Sequence, residues 1–293
     1  MPPSEAGSCL VHHRLSKNAF SRLSVLVTAL AIGLTLGSQA APAQSDNGSS
    51  ALSRITARSY VAIDADSGTL LLARRQTARR PIASLTKVMT GLLTIEHGHL
   101  RARVDVTPRA ERVEDYREGL VPGRRYRRIT LLRSALMVSA NDSATALAID
   151  GGGGSLHRFY ALMNAKARAV GLTDTTYASA SGLDDVHNLS TALDQARLAR
   201  VAMQNRTFAA IVGTRRFVTR WAAPTYAKVW INHNKMLSSA PGTYGVKTGW
   251  TTRAGGCLII AQRRGGRSVI AVVLDSKSIW SDMQKLLRVA FSS

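Results

Sequence analysis

The sequence predicts an α+β fold in which an antiparallel sheet, assembled from both ends of the chain, packs against helices, with a helical region inserted between the strands. Strand-like segments rich in β-branched residues occur near the start, at 59–64 and 69–72, and again from 245 to 274. The residues between them show apolar side chains at helical spacing. Strands at both ends around helices indicate one sheet that joins the two termini.

The first residues have the composition of a secretory signal peptide. A short apolar run, too short to span a bilayer, separates basic residues from a small-residue cleavage pattern. We therefore predict a signal peptide over 1–43, cleaved near Ala43, and export to the periplasm or the cell exterior; an uncleaved membrane anchor is the alternative. A flexible polar leader is expected over 44–54 and a single domain over 55–293. The three parts of the signal are Arg14, Lys17 and Arg22, then Leu23–Leu36, then Ala41-Pro42-Ala43.

The remaining elements follow in order along the chain. The first two strands surround a turn at 66–68, and a glycine run at 151–154 links two helices. Gly265-Gly266 joins the last two strands. The predicted helices are one that begins near Ser84, one from Leu131 to about Ala148, Phe159–Val170, Ala192–Gln204 and a closing helix Ile279–Phe291. The predicted late strands are Gly245–Thr251, Cys257–Gln262 and Ser268–Leu274.

The composition narrows the classes of partner. The formal net charge is +21, yet aromatic residues make up only 5% of the chain and do not interleave with the basic pairs. A base-stacking surface needs such interleaving, so nucleic acid is not predicted as a partner. A generally basic surface is the favoured interpretation, and electrostatic contact with an anionic envelope surface is the alternative. His97 and His99 do not match zinc-ligand spacing, so no metal or other cofactor is predicted.

A serine and a lysine three residues apart, Ser84 and Lys87, are the first catalytic candidates. Residues i and i+3 share a helix face, so the two side chains can touch if a helix begins at Ser84. A serine nucleophile needs a base. Lysine can be that base when burial or a neighbouring cation lowers its pKa. A capping serine beside a solvated lysine is the alternative.

Two later motifs add polar groups. Ser139 and Asn141 stand in a largely apolar segment, where unpaired polar side chains are costly, and an active-site wall would give them partners. Lys247-Thr248-Gly249 follows on a predicted strand, where the lysine can bind a carboxylate and the glycine lets a substrate backbone approach. The ordered set predicts a serine acyl-transfer enzyme that works without a histidine triad.

From Ile55 to Phe291 the chain resembles the low-molecular-weight penicillin-binding proteins, the serine D-alanyl-D-alanine carboxypeptidases and endopeptidases of the peptidase S11 type. The resemblance implies a β-lactamase/DD-transpeptidase-like fold, peptidoglycan stem peptides as substrates and β-lactams as covalent inhibitors. The segments that carry it are Ile82–Thr90, Val138–Ala144, Ser181–Asp184, Val246–Thr251 and Ala254–Leu258.

The resemblance also implies a role for each motif residue. Ser84 would form the acyl-enzyme, Lys87 would accept its proton, and Ser139 would relay protons to the leaving group. Asn141 would orient the peptide. The remaining implied substrate-binding residues are Lys247 and Thr248 for the terminal carboxylate, Gly249 beside them, and Trp250, whose N–H would form the oxyanion hole with that of Ser84.

Several activities fit this set. Carboxypeptidase and cross-link-cutting endopeptidase cleave the same kind of D,D-bond, so both stay open. A β-lactamase shares the motifs, but class A enzymes use a glutamate between the second and third motifs, and no glutamate follows Glu118 here. We therefore expect β-lactams to acylate Ser84 and leave slowly. A non-catalytic basic protein that binds the envelope is the least favoured alternative. Since the chain stops at Ser293, we expect neither a C-terminal β-rich domain nor a membrane anchor.

Overall fold

The structure is a computed structural model, and it describes residue 50 and residues 52–183, 185–221 and 226–293. All of these residues belong to one compact unit, 44–293. The predicted signal peptide and the cleavage position near Ala43 lie outside the described residues, as does most of the predicted leader. These assignments, and the predicted extent of the domain, stay predictions.

In the part of the chain that the structure describes, the strands form one main sheet and three small ribbons. The main sheet is antiparallel and has the order β2-β1-β11-β10-β9, so β1 from the N-terminal part pairs with β11 from the C-terminal part. This confirms the predicted sheet built from both ends. The strands are β1 (Ser59–Asp64), β2 (Leu70–Arg74), β3 (Arg80–Pro81), β4 (Arg103–Asp105), β5 (Arg125–Arg127), β6 (Leu189–Ser190), β7 (Arg216–Trp221), β8 (Tyr226–Ile231), β9 (Thr243–Thr251), β10 (Gly255–Arg264) and β11 (Arg267–Ser276).

The helices lie mostly between β2 and β9. A 3₁₀ turn, Ala83–Thr86, leads into the first of them. No helix in the described part of the chain combines the length and the hydrophobicity needed to span a bilayer. The helices are α1 (Lys87–His97), α2 (Pro108–Glu111), α3 (Arg128–Met137), α4 (Asn141–Gly151), α5 (Leu156–Ala169), α6 (Ala192–Gln204), α7 (Arg206–Gly213), α8 (Met236–Ser239) and α9 (Ile279–Ser292).

The central strands are apolar on both faces because both faces are covered. Successive strand residues point to opposite sides. In β10, Leu258 and Ile260 pack with Leu286 of α9, whereas Ile259 packs in the core that contains Val88 of α1. A continuous apolar run is typical of a strand buried on both faces. The sheet therefore separates the closing helix from the main helical region.

The β10–β11 hairpin confirms the predicted turn. Arg264 pairs with Arg267, so Gly265 and Gly266 form a two-residue loop. Their φ angles are +53° and +80°. Two consecutive positive φ angles define the type I′ turn that glycine favours and that matches the twist of a hairpin.

One predicted helix is wrong. The apolar spacing predicts a single helix from Leu131 to about Ala148, but the structure has α3 and α4, separated at residues 138–140. Ser139 has a φ of +64°, which no right-handed helix accommodates. The break places Ser139 between the two helices and Asn141 at the start of α4, and both side chains reach the site described below.

None of the three ribbons was predicted from the sequence. β3 pairs with β6, β4 with β5, and β7 with β8. In the β7–β8 ribbon Phe217 stacks on Trp230 at 6.0 Å, and Trp221 meets Trp230 edge-on at 5.4 Å. These aromatic contacts join β7 to β8, and Arg133 of α3 attaches the ribbon to the helical region, because its guanidinium lies 4.2 Å from the Phe217 ring centroid.

A buried carboxylate ties the two ends of the domain together. Asp282, at the start of α9, accepts hydrogen bonds from the backbone N–H of Thr56 and of Ala57. It also accepts from the hydroxyls of Thr56 and Ser276. Burial alone would raise the pKa of Asp282, but the hydrogen bonds from Thr56 and Ser276 outweigh it and lower the pKa.

We predict that Asp282→Ala lowers the free energy of unfolding by about 3 kcal/mol, because two buried backbone donors lose their acceptor. The native carboxylate stabilises the fold at neutral pH, and this contribution is lost as the pH falls through its lowered pKa. Thermal unfolding at pH 7 and at acidic pH measures both effects. Asp66→Ala, at an exposed turn, is the matched control and should change stability little; equal losses in both variants would contradict the prediction.

Candidate active site

The 3₁₀ turn brings the first pair of predicted residues together. Side chains at i and i+3 eclipse in a 3₁₀ helix, so Ser84 and Lys87 face one another more directly than in an α-helix. Lys87 Nζ lies 2.8 Å from Ser84 Oγ. The turn begins at Ala83, which has a φ of +47°. The predicted pairing of Ser84 and Lys87 is therefore present, on a tighter turn than predicted.

Lys87 is completely buried and has three oxygen partners. Besides Ser84 Oγ, its Nζ lies 2.7 Å from Asn141 Oδ1 and 2.7 Å from the backbone oxygen of Ser181. Burial, and then the positive charge of Lys247, hold the pKa of Lys87 well below its usual value, while the charge of Asp142 opposes this shift. The site thus favours a neutral amine at this position.

Hydrogen-bond direction decides what the neutral amine can do. The carbonyl oxygens of Asn141 and Ser181 can only accept, so the two N–H groups of a neutral Lys87 are used on them. The third partner, the hydroxyl of Ser84, can donate. The lone pair of Lys87 is consequently directed at the Ser84 proton, which is the arrangement that a general base requires.

Hydrogen bonds to the backbone of residues 114–115 hold the Asn141 side chain in one orientation. Its Nδ2 donates to the backbone oxygens of Glu114 and Asp115, at 3.1 and 3.0 Å, which leaves Oδ1 for Lys87. The neighbouring Asp142 accepts from the backbone N–H of Glu118 and of Leu120. Asn141 therefore positions Lys87; its predicted role in orienting the peptide stays a prediction.

Ser139 and Lys247 form the second pair. Lys247 Nζ, which is also buried, donates to Ser139 Oγ at 3.0 Å and to the backbone oxygen of Thr248 at 2.9 Å. Burial lowers the pKa of Lys247 to about 7. An ammonium has three N–H donors, and these two bonds use two of them. The third can serve an anionic ligand.

The strand β9 passes close to the nucleophile. A Cβ atom at Gly249 would lie 3.0 Å from the backbone nitrogen of Ser84 and 3.2 Å from the oxygen of Ile82. Glycine therefore permits the approach of β9 to the 3₁₀ turn. Thr248 is half-buried and Trp250 is 64% exposed. The structure thus places the third motif beside Ser84; the predicted oxyanion and carboxylate contacts remain predictions.

The sequence reasoning assigned no role to the segment around Ser181. Its backbone oxygen binds Lys87, and the next residue, Gly182, has a φ of +84°. A Cβ atom at Gly182 would lie 1.9 Å from the backbone oxygen of Ala83. Thr90 Oγ1 donates to the oxygen of Ala180 and fixes the segment from the other side. Only the resemblance of residues 181–184 to family segments pointed to this loop. The contact with Lys87 is made by a backbone oxygen, which every residue type carries, so the sequence does not indicate it.

The part of the chain that the structure describes holds no cluster of three or more histidine, cysteine, aspartate or glutamate side chains able to bind a metal. Cys257 is fully buried in β10, and burial raises the pKa of its thiol to about 12. A thiol of this kind is protonated and unreactive.

Comparison with known proteins gives concordant results. A D-alanyl-D-alanine carboxypeptidase of Streptomyces sp. (strain K15) is 32% identical over 250 residues, which cover 79% of this chain and 86% of that protein. The crystal structure of the Streptomyces K15 DD-transpeptidase matches with a TM-score of 0.76 and 31% identity, over 82% of this chain and 98% of that one.

A D-alanyl-D-alanine endopeptidase of Escherichia coli is 28% identical over 259 residues, covering 87% of this chain and 83% of that protein. The family model of the peptidase S11 group, described as D-alanyl-D-alanine carboxypeptidase, matches residues 44–278. The fold of these structural neighbours is the predicted penicillin-binding, DD-transpeptidase-like fold. This chain belongs to the peptidase S11 family of serine D-alanyl-D-alanine carboxypeptidases.

Proposed function

We propose that this protein hydrolyses the D-alanyl-D-alanine bond of peptidoglycan stem peptides through an acyl-enzyme on Ser84. The observation that carries the proposal is the bonding of Lys87. Two fixed carbonyl oxygens occupy its N–H groups and leave its lone pair for the Ser84 hydroxyl. Membership of the S11 family supports the choice of bond.

The acylation step follows from this geometry. Ser84 Oγ attacks the carbonyl carbon of the penultimate D-alanine while Lys87 accepts the hydroxyl proton. The N–H groups of Ser84 and Trp250 stabilise the oxyanion. Ser139 relays the proton that Lys87 accepted to the nitrogen of the departing D-alanine, and the C–N bond breaks. Water then hydrolyses the ester, and Ser84 recovers its proton.

Lys247 and Thr248 bind the terminal carboxylate in this proposal. Lys247 is a buried cation with one N–H donor to spare, and a carboxylate would supply both the acceptor and the compensating charge. The substrate would lie along β9, where Gly249 lets a backbone approach. The ammonium form of Lys247 is the form that binds.

Other assignments extend the proposal. Cleavage of cross-links is a second candidate, because the family includes relatives named as endopeptidases. Penicillins would acylate Ser84 and be released slowly. The signal-like N-terminus supports an exported, periplasmic or secreted enzyme that acts in the cell wall.

Purified mature protein should remove one alanine from a pentapeptide ending in D-alanyl-D-alanine, and Ser84→Ala should lower that rate at least about a thousandfold, because it removes the nucleophile. Mass spectrometry of the pentapeptide and of cross-linked dimers shows which substrate loses mass. Fluorescent penicillin should label the native protein and not Ser84→Ala. Cleavage by Ser84→Ala, or rapid turnover of benzylpenicillin by the native protein, would contradict the proposal.

Gly182→Ala should lower the rate of acylation by penicillin about a hundredfold, because the new Cβ would displace the Ala83–Ser84 backbone, and a shift of about 1 Å costs that much. Stopped-flow labelling gives the rate. Gly171→Ala is the matched control: Gly171 also has a positive φ, +74°, but a Cβ atom there meets nothing within 4 Å. Similar rates in the two variants would mean that the contact with Ala83 is unimportant.

The pH profile should show the role of Lys247. Since the free enzyme binds carboxylate through the ammonium form, kcat/KM for the pentapeptide should fall as the pH rises above about 7, the pKa of Lys247. Arginine keeps its proton throughout this range, so Lys247→Arg should lose that decline. A decline at the same pH in Lys247→Arg would assign it to another group.

A further inference from the structure

Two consecutive carbonyl groups of the loop 178–182 accept hydrogen bonds from side chains of α1. Thr90 Oγ1 donates to the backbone oxygen of Ala180 at 2.7 Å, and Lys87 Nζ donates to the backbone oxygen of Ser181 at 2.7 Å. Successive carbonyls of an extended chain point in opposite directions, but the chain bends at residues 180 and 181. Both carbonyls therefore reach the same helix, on which the two donors are three residues apart.

The hydroxyl of Thr90 is the restraint on the first of these carbonyls. Among the described residues, no other group donates to the oxygen of Ala180. The neighbouring bonds of the loop hold other atoms, because the N–H groups of Ala178 and Gly182 donate to side chains. Thr90 and Ala180 are both buried, so bulk water does not supply a replacement donor.

The position of the second carbonyl depends on that of the first. The two peptide groups adjoin at the Cα atom of Ser181, so a rotation of the Ala180 carbonyl also displaces the Ser181 oxygen. A buried carbonyl without a donor is costly. Loss of the Thr90 hydroxyl would therefore favour such a rotation, because the Ala180 oxygen would have to find another donor.

Displacement of the Ser181 oxygen would misdirect Lys87. A neutral amine has two N–H groups and one lone pair, and it rotates about its Cε–Nζ bond. In the structure the carbonyl oxygens of Asn141 and Ser181 hold both N–H groups. Without one of them, an N–H would turn toward Ser84 Oγ, and the hydroxyl would accept a hydrogen bond instead of donating one. The lone pair would no longer face the proton that a general base must remove.

We propose that Thr90 is a positioning residue for the general base of this site. By holding the carbonyl of Ala180, its hydroxyl keeps the Ser181 oxygen on Lys87, and the lone pair of the amine stays directed at the nucleophile. This inference rests on the proposed function, in which Lys87 activates Ser84. It adds a residue that acts through the backbone of a loop and touches no reacting atom.

Two substitutions separate the hydroxyl of Thr90 from its methyl group. Thr90→Val keeps the shape of the side chain and removes the donor, whereas Thr90→Ser keeps the donor and leaves a cavity the size of a methyl group. We expect Thr90→Val to slow acylation by penicillin about thirtyfold, since a misplacement of about 1 Å costs about a hundredfold. Thr90→Ser should stay within about threefold of the native rate constant, because it retains the hydrogen bond.

Stopped-flow labelling over a series of penicillin concentrations separates acylation from binding. The rate constant at saturating penicillin is first-order, so it does not depend on the amount of folded protein. The concentration that gives half of the maximal rate should change little, because the Thr90 hydroxyl bonds the protein's own backbone.

Thr94→Val is the matched control for these measurements. Thr94 is buried on the same helix, but its hydroxyl donates to the backbone oxygen of Thr90 within α1. The substitution is chemically the same and leaves the loop 178–182 in place. We therefore expect a native rate constant of acylation.

The outcomes separate this inference from the proposed function. A larger loss in Thr90→Ser than in Thr90→Val would show that Thr90 acts by packing and would overturn the inference. A native rate constant in Thr90→Val, or an equal loss in Thr94→Val, would overturn it as well. In each of these cases the native protein still forms the acyl-enzyme, and the proposed function stands. If penicillin did not label Ser84 in the native protein, the proposed function would fail, and the inference would fail with it.

Discussion

The burial of Lys87 is the constraint on which the rest of the site depends. A charged ammonium in a dry interior is costly, and the cost is avoided when the group is neutral and its polar atoms are bonded. Three separate parts of the chain supply those bonds: the 3₁₀ turn with Ser84, the start of α4 with Asn141, and the loop at Ser181. The basicity of one amine is therefore a property of the whole fold, since each partner is placed by a different element.

The two buried lysines of the site have different hydrogen-bond partners and therefore different properties. Lys87 and Lys247 are both buried, and the charge on Lys247 disfavours a charge on Lys87. Lys247 donates to the hydroxyl of Ser139 and to the backbone oxygen of Thr248, so its third N–H can bind an anion. A carboxylate bound there would hold Lys247 in its charged form.

The motif residues were easier to predict from the sequence than the backbone geometry around them. The motif residues Ser84, Lys87, Ser139 and Lys247 are polar side chains in apolar surroundings, so their pattern is visible. The sheet from both termini and the turn at 265–266 were also predictable, because apolar strands and paired glycines have local signatures. The break between α3 and α4 was not, since the apolar spacing continues across it. The contact of Lys87 with the Ser181 backbone was invisible because any residue type could supply that oxygen.

Several residues in or beside the site have backbone conformations that local sequence patterns do not predict. In the described part of the chain, the non-glycine residues with positive φ include Ala83, Asp115, Tyr116 and Ser139, all of which lie in or beside the site. Such conformations cost about 1–3 kcal/mol each and persist only where the surroundings fix them. Here the surroundings are the bonds of Asn141 to the 114–116 segment and of Lys247 to Ser139. The same bonds that orient the catalytic groups therefore hold the unfavourable backbone, and a helix that continued through residues 138–140 would relieve the strain and remove Ser139 from Lys247.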